Sequence, residues 1–281
     1  MAWTHYRLKF RMISPLFVGF RRSGNLWETR RYVPGKVLWA ALTARLTRDR
    51  GLGNRGEAYV TTGTNVHGGF RFGYLWPSLD GAEPYLPWEH ADYDYQLLHS
   101  FVSTSVDVAR SAALEGSLHE TEYIAPRTRT GDPVYLVGDL WVASASSITE
   151  HEWRSTLANL RLGGELKYGW GRVELIGCDS ASEALGGFAV TYAGDQVRLS
   201  LGRGQRIYQH AYATGTEAVP GLSGSIEPLV GRERTPTGYQ LTQDVRIAYK
   251  PGCSVSASEG VTVAVGNHGV LEAHSPVADG A

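Results

Sequence analysis

The chain has 281 residues, 42% of them hydrophobic and 20% charged, an ordinary composition for a soluble globular protein and enough length for one large domain or two small ones. No run of about 18 apolar residues occurs, which argues against a membrane span. Cys178 and Cys253 form neither a metal-ligand spacing nor a disulfide framework, so no metal and no cofactor is expected. The net charge of −1 conceals an asymmetry: residues 1–50 carry eleven Lys or Arg against Glu28 and Asp49 (11 − 2 = +9), and the remainder carries 16 bases and 26 acids (−10). A basic end on a near-neutral chain points to a polyanion site or to docking on an acidic partner.

The first ten residues read as a strand rather than a signal peptide, and a cytoplasmic location is expected. His5, Arg7, Lys9 and Arg11 alternate with Tyr6, Leu8, Phe10 and Met12, the pattern of a half-buried strand with one cationic face. Pro15 and Gly19 mark a turn and a second extended piece, Arg21 to Asn25 a loop, and Glu28 to Val33 a further extended piece. Pro34-Gly35 then precedes a helix with Val37, Leu38, Ala41, Leu42 and Leu46 at spacings of three and four, stopped by Gly51 and Gly53. Such a helix start beside arginines can hold a phosphate, or can be no more than a tight turn into a core helix.

Residues 57–75 read as β-rich, at Ala58 to Thr61 and again at Gly69 to Leu75. Residues 76–100 form an acidic insertion: Pro77, Pro84 and Pro87, the aromatics Trp76, Tyr85 and Trp88, and the acids Asp80, Glu83, Glu89, Asp92 and Asp94. It is expected to pack on the core with a short helix near Tyr93 to Phe101, its aromatics suiting an interface with another subunit. The β signal returns from Leu118 to Val142, and Arg127 to Pro133 splits it into an expected hairpin. Thr149-Glu150-His151-Glu152 is a capping box, followed by a Trp153, Leu157, Leu160 stripe and closed by Gly163-Gly164.

The stretch Arg161 to Leu175 then places Gly163, Gly164, Gly169 and Gly171 among Glu165, Lys167, Tyr168, Trp170 and Arg172, ahead of a strand at 172–177. Glycine permits positive φ and close approach of a ligand. Convergent amides, Lys167 and Arg172 suit phosphates, and Tyr168 and Trp170 offer stacking faces. The order helix, glycine-rich turn, strand is the reverse of a P-loop or dinucleotide fold. The alternative is a helix C-cap followed by a β-turn.

Up to residue 177 the order strand, helix, strands, helix, strand gives an α+β, ferredoxin-like (RRM-like) domain with insertions, although RNP aromatic patterns are lacking. Residues 178–281 follow as a β-rich C-terminal region, with a linker at Ser180 to Gly187, strands at Phe188 to Tyr192, Gln196 to Leu201, Tyr239 to Tyr249 and Gly260 to Val265, and a frayed tail from His274.

Tyr32 to Leu42 (Tyr-Val-Pro-Gly-Lys-Val-Leu-Trp-Ala-Ala-Leu) and the Gly163 to Arg172 loop resemble the RAMP superfamily of CRISPR-associated proteins. Ser23 to Thr29, Phe72 to Ser78 and Glu120 to Arg127 look most like the five-prime-handle subunit of type III-D effector complexes. The resemblance covers roughly residues 4–177. Lys36 stands where the family has Ser, Ala40 where it has Gly, and Trp39 where it often has Arg or Lys. The resemblance implies a RAMP domain and a non-catalytic RNA-binding subunit of an antiviral type III effector complex, holding the repeat-derived five-prime end of the guide RNA. Its partners would be that guide RNA and the neighbouring subunits. The expected RNA-binding residues are Arg21, Arg22, Arg30, Arg31, Lys36, Gly163, Gly164, Lys167, Tyr168, Gly169 and Arg172, with main-chain amides at Gly163, Gly164 and Gly169; no catalytic residue is assigned. The alternatives are a metal-independent endoribonuclease processing the guide precursor, with His5, His67 or Tyr168 as candidates, and a backbone subunit cleaving target RNA through Asp92 or Asp94.

Overall fold

The computed structural model describes residues 2–52 and 56–274. Gly53 as a helix stop, and the tail after His274, lie outside the described residues. Strand β1 (Trp3–Met12) is the centre of the first sheet, and its period of two decides what each face does. Tyr6, Leu8, Phe10 and Met12 face one core; Trp3 faces another. The helices α1 (Gly35–Asp49) and α2 (Gly56–Gly69) follow, then strand β2 (Phe70–Phe72), strand β3 (Tyr135–Ala143), helix α3 (Glu150–Leu157) and strand β4 (Val173–Ser180). The sheet runs β4-β1-β3-β2, with every neighbouring pair antiparallel, and Trp76–Ser78 also pairs with β3.

Leu38, Leu42 and Leu46 of α1, with Trp153 and Leu157 of α3, cover the Tyr6, Leu8, Phe10, Leu136 and Leu140 face. Each leucine buried there contributes about 1.5–3 kcal/mol relative to exposure. Thr149 caps α3: its hydroxyl accepts from the Glu152 N–H, and the Glu152 carboxylate accepts from the Thr149 N–H. On the opposite face of the sheet, Trp3, Trp141 and Ala143 pack against Val197, Leu199 and Val263 of the C-terminal region. That region forms an eight-stranded sheet, and Ala184 and Leu185, expected in a linker, are buried. The Leu185 N–H donates to Asp139 on β3. The supposed linker is therefore part of the packing between the two regions.

Four other expectations are corrected. Ala58 to Thr61 is helical: Thr62, Val66 and Gly69, at spacings of four and three, put one face of α2 into the interior, and that packing overrides the β preference of Tyr, Val and Thr. The expected hairpin at Arg127 to Pro133 is reduced to a short turn, closed by an antiparallel bridge between Arg127 and Pro133, and the strands on either side do not pair with each other. His119–Ile124 pairs with Leu98–Ser103 and, in parallel, with Leu26–Thr29, whereas β3 belongs to the first sheet. Helix α3 ends at Leu157 with Ala158 as its cap, before Gly163-Gly164, so that Leu160 and Leu162 can both turn into the core. Within 76–100 the helix spans Tyr93–Leu97 and then gives way to a strand. Of the aromatics there, Trp76 and Tyr93 are buried, Tyr85 and Trp88 are half-buried and Tyr95 is exposed. Among the described residues no helix is long and apolar enough to cross a membrane.

Candidate nucleic-acid interface

A cleft of about 1460 Å³ opens along α1. This exceeds the roughly 300–1,000 Å³ of small-ligand pockets and suits a length of chain. One stripe of α1 forms its floor, with Ala40, Ala41 and Ala44 between Lys36, Arg45 and Arg48. The loop carrying Arg161, Gly163, Gly164 and Lys167 forms part of the wall, and Arg232, Arg234 and Arg246 from the C-terminal region form another part. With Arg30, the described lining has nine Lys or Arg and two carboxylates, Glu233 and Asp244. Trp39, Tyr59 and Tyr239 add rings. Cations interleaved with aromatic faces are the combination that single-stranded nucleic acid requires.

The structure thus brings five of the expected residues, Arg30, Lys36, Gly163, Gly164 and Lys167, to one cleft. The remaining six are placed elsewhere. Arg21 pairs with Glu28 at 2.7 Å, and Arg22 lies over the Trp27 ring at 5.8 Å. The Arg31 Nε donates to Asp94 at 2.6 Å. Tyr168 (80% exposed) and Arg172 are at the surface, and Gly169 ends a short 3-10 turn over Leu166–Tyr168. The amide contacts expected at Gly164 and Gly169 are corrected: Gly164 donates to the Phe17 carbonyl at 2.8 Å and Gly169 to that of Leu166 at 3.2 Å. Nor is the start of α1 an open phosphate cradle, since a Cβ on Gly35 would lie 2.4 Å from the His268 carbonyl oxygen.

The basic N-terminal segment is also less free than its charge suggests. Among its eleven cations, seven pair with carboxylates, five of those from beyond residue 50: Arg7–Asp139, Arg30–Glu227, Arg31–Asp94, Lys36–Glu233 and Arg50–Glu152. The acidic remainder of the chain folds back onto its basic end. The contribution of Arg232, Arg234, Arg246 and Tyr239 to the cleft was not anticipated from sequence; the one available signal was arginine interleaved with tyrosine in a region without other motifs.

Behind the cleft lies a buried polar network. Arg30 donates to Glu227 at 2.6 Å, and His210 Nε2 is 2.7 Å from the same oxygen. A carboxylate only accepts, so His210 carries its proton on Nε2, and its Nδ1 accepts from the Tyr74 hydroxyl at 2.7 Å. Burial raises the Glu227 carboxyl, but the hydrogen bond from His210 and the charge of Arg30 outweigh that and hold it at about 2. Burial lowers His210, which is neutral. His5 is buried too, 2.9 Å from Asp139 and stacked on Trp141.

At the cleft, His67 stacks on Trp39 at 4.6 Å and meets His268 edge-on at 4.6 Å. Burial, then Arg71 and Lys36, push His67 down to about 4; burial, then His67 and Lys36, push His268 down to about 3. An unfolded histidine takes up its proton near pH 6.5 while these folded rings refuse it, so stability falls as pH drops from about 6.5 towards 4. Each ring contributes up to about 1.4 kcal/mol per pH unit in that window. Two rings over the roughly 1.5 units from pH 6.5 to pH 5 amount to about 4 kcal/mol, so urea denaturation at pH 7 and pH 5 is expected to show a loss of that order, clearly reduced in a His67→Gln/His268→Gln variant. An unchanged pH dependence in that variant would refute the assignment.

No protein-family model and no curated protein matches the chain. Among solved structures, it is similar to a chain of the type III-B Cmr-beta structure seen by cryo-EM with cognate target RNA and AMPPnP, at 13% identity and TM-score 0.48 over 89% of this chain and 85% of that one. A chain of Cmr-beta in its apo state gives 12% identity and TM-score 0.39 over 62% of this chain and 97% of that one. A crystal structure of a CRISPR protein from Archaeoglobus fulgidus gives 10% identity and TM-score 0.43 over 98% and 100%.

Proposed function

We propose that the chain is a non-catalytic RNA-binding subunit of a type III CRISPR effector complex, holding the repeat-derived five-prime end of a guide RNA. One observation carries the reading: Lys36 from the first RAMP-like motif and Gly163, Gly164 and Lys167 from the second line the same cleft, whose described lining holds nine cations, four of them (Arg30, Lys36, Arg45 and Arg246) paired with carboxylates. The strand order β4-β1-β3-β2, with crossovers through α1 and α3, supports the ferredoxin-like reading of the first region. Phosphates would be held by the cations, and unpaired bases by the rings.

The nuclease alternative has weaker support in the geometry. Both nitrogens of His210 are engaged, His5 is bonded to Asp139, and a ring at about 4 such as His67 is a poor base at neutral pH. The carboxylates proposed for target cleavage are also engaged, Asp94 with Arg31 and Asp92 with the Tyr85 hydroxyl at 2.7 Å.

The test is binding and cleavage of labelled repeat RNA by the purified protein. Affinity is expected to fall steeply with salt, and Lys167→Ala to reduce the log–log slope by about one. Incubation without metal and with magnesium is expected to leave the RNA intact. Specific cleavage in either condition, or a slope near zero, would overturn the reading.

A further inference from the structure

We propose that the C-terminal hairpin formed by Arg232–Thr235 and Gly238–Leu241 is a strap that completes the cleft around single-stranded RNA, with Glu233 acting as its latch on Lys36. This rests on the RNA-binding reading and adds the half of the site that lies outside both motifs. The hairpin is paired along its length, Arg232 opposite Leu241 through Thr235 opposite Gly238. Its base is closed by the Thr242 N–H, which donates to the Gly231 carbonyl at 2.8 Å.

Contacts with α1 and α2 fasten it to the first region. Its turn comes so close to the start of α2 that a Cβ on Gly56 would lie 2.5 Å from the Pro236 carbonyl oxygen. Glu233 also accepts from Lys36 at 3.2 Å. The strap thereby places Arg232, Arg234 and Tyr239 in the wall of the same cleft that Lys167 lines. The Tyr239 ring is 70% exposed, with the Arg234 guanidinium 5.6 Å from its centre and 5.4 Å from that of Tyr59.

Exposed rings beside cations recognise bases whose faces are free, which a duplex does not offer. The latch gives the strap its regulation. Lys36 is engaged by a carboxylate in the free protein, so a phosphate must displace Glu233 to reach it, and Glu233 repels the same phosphate. Removing that charge should strengthen binding, whereas removing the strap's own contacts should weaken it.

The test compares a labelled single-stranded repeat RNA and the duplex of the same sequence on the full chain and four variants. Glu233→Gln is expected to bind the single strand about threefold more tightly or better. Tyr239→Ala is expected to bind about tenfold more weakly, and Arg232→Ala more weakly with a shallower salt slope. Each should retain the parent melting temperature, and the duplex should bind at least tenfold more weakly than the single strand. If Lys167→Ala weakens binding while the three strap variants match the parent, the strap proposal fails and the RNA-binding reading stands. If the parent itself shows no salt-dependent binding, both fail. Equal affinity for duplex and single strand would overturn the single-strand assignment.

Discussion

Glu227→Ala is expected to destabilise the protein by about 3–5 kcal/mol, because it leaves a buried cation without its counter-ion. Arg30 donates to Glu227 at 2.6 Å, and the Arg30 side chain is 15% exposed. His210 loses its acceptor in the same step, which also frees the tautomer that lets Nδ1 accept from Tyr74. Glu227→Gln keeps the shape and the oxygen but not the charge, and should cost less, about 1.5–3 kcal/mol. Urea denaturation at pH 7 measures both. The dependence on pH has a definite sign. Because the folded carboxyl is held at about 2, below its ordinary value near 4.5, the stabilisation is complete above about pH 4.5 and is lost as pH falls towards 2. A cost below about 1 kcal/mol for Glu227→Ala would show that the network does not couple the regions.

That network marks where sequence reasoning stops. Arg30 and Glu227 are 197 positions apart, and nothing local to either names the other. The +9 of the first fifty residues was legible as a number; the fold decides which of those charges meet solvent, and five of the eleven cations meet carboxylates from the acidic remainder. By contrast, β1, α1 and the cap of α3 were legible, because each is written in a period or a fixed spacing: two for Tyr6 to Met12, three and four for Leu38 to Leu46, three for Thr149 and Glu152. Helix α2 was not, because its Tyr, Val and Thr favour strands and only its packing on α1 tips it the other way.

The candidate site was half legible for a similar reason. Lys36 and the Gly163 to Lys167 loop belong to recognisable motifs, so their arrival at one cleft follows from the fold those motifs imply. The wall from Arg232 to Arg246 carries no motif, and only the folded chain brings it to α1. Within the glycine-rich loop, spacing and residue type do not separate glycines needed by the chain from glycines facing a ligand. Geometry separates them.

Gly171→Val is expected to be far more damaging than Gly169→Val, at about 3 kcal/mol or more against about 1–2 kcal/mol. Both residues have positive φ, +72° at Gly171 and +85° at Gly169, which a β-branched residue adopts only under strain. They differ in what a side chain would meet. A Cβ on Gly171 would lie 2.0 Å from the Leu162 carbonyl oxygen, a backbone atom that cannot swing aside, and on Gly169 it would meet nothing within 4 Å. Gly171 is also stitched into the fold: its N–H donates to Pro15 at 2.7 Å and its carbonyl accepts from Leu162 at 2.8 Å. At roughly 2–4 °C per kcal/mol, Gly171→Val should lower the melting temperature by about 6 °C or more, and Gly169→Val by about half that or less. Equal losses at the two positions would mean that the loop is not seated on Pro15 and Leu162 as described. Gly169→Val is then the informative variant for function, since its side chain would project into open space beside Lys167 and Tyr168. A loss of RNA affinity there beyond what its melting temperature explains would place RNA against the loop, and an unchanged affinity would confine the loop's glycines to holding the chain in shape.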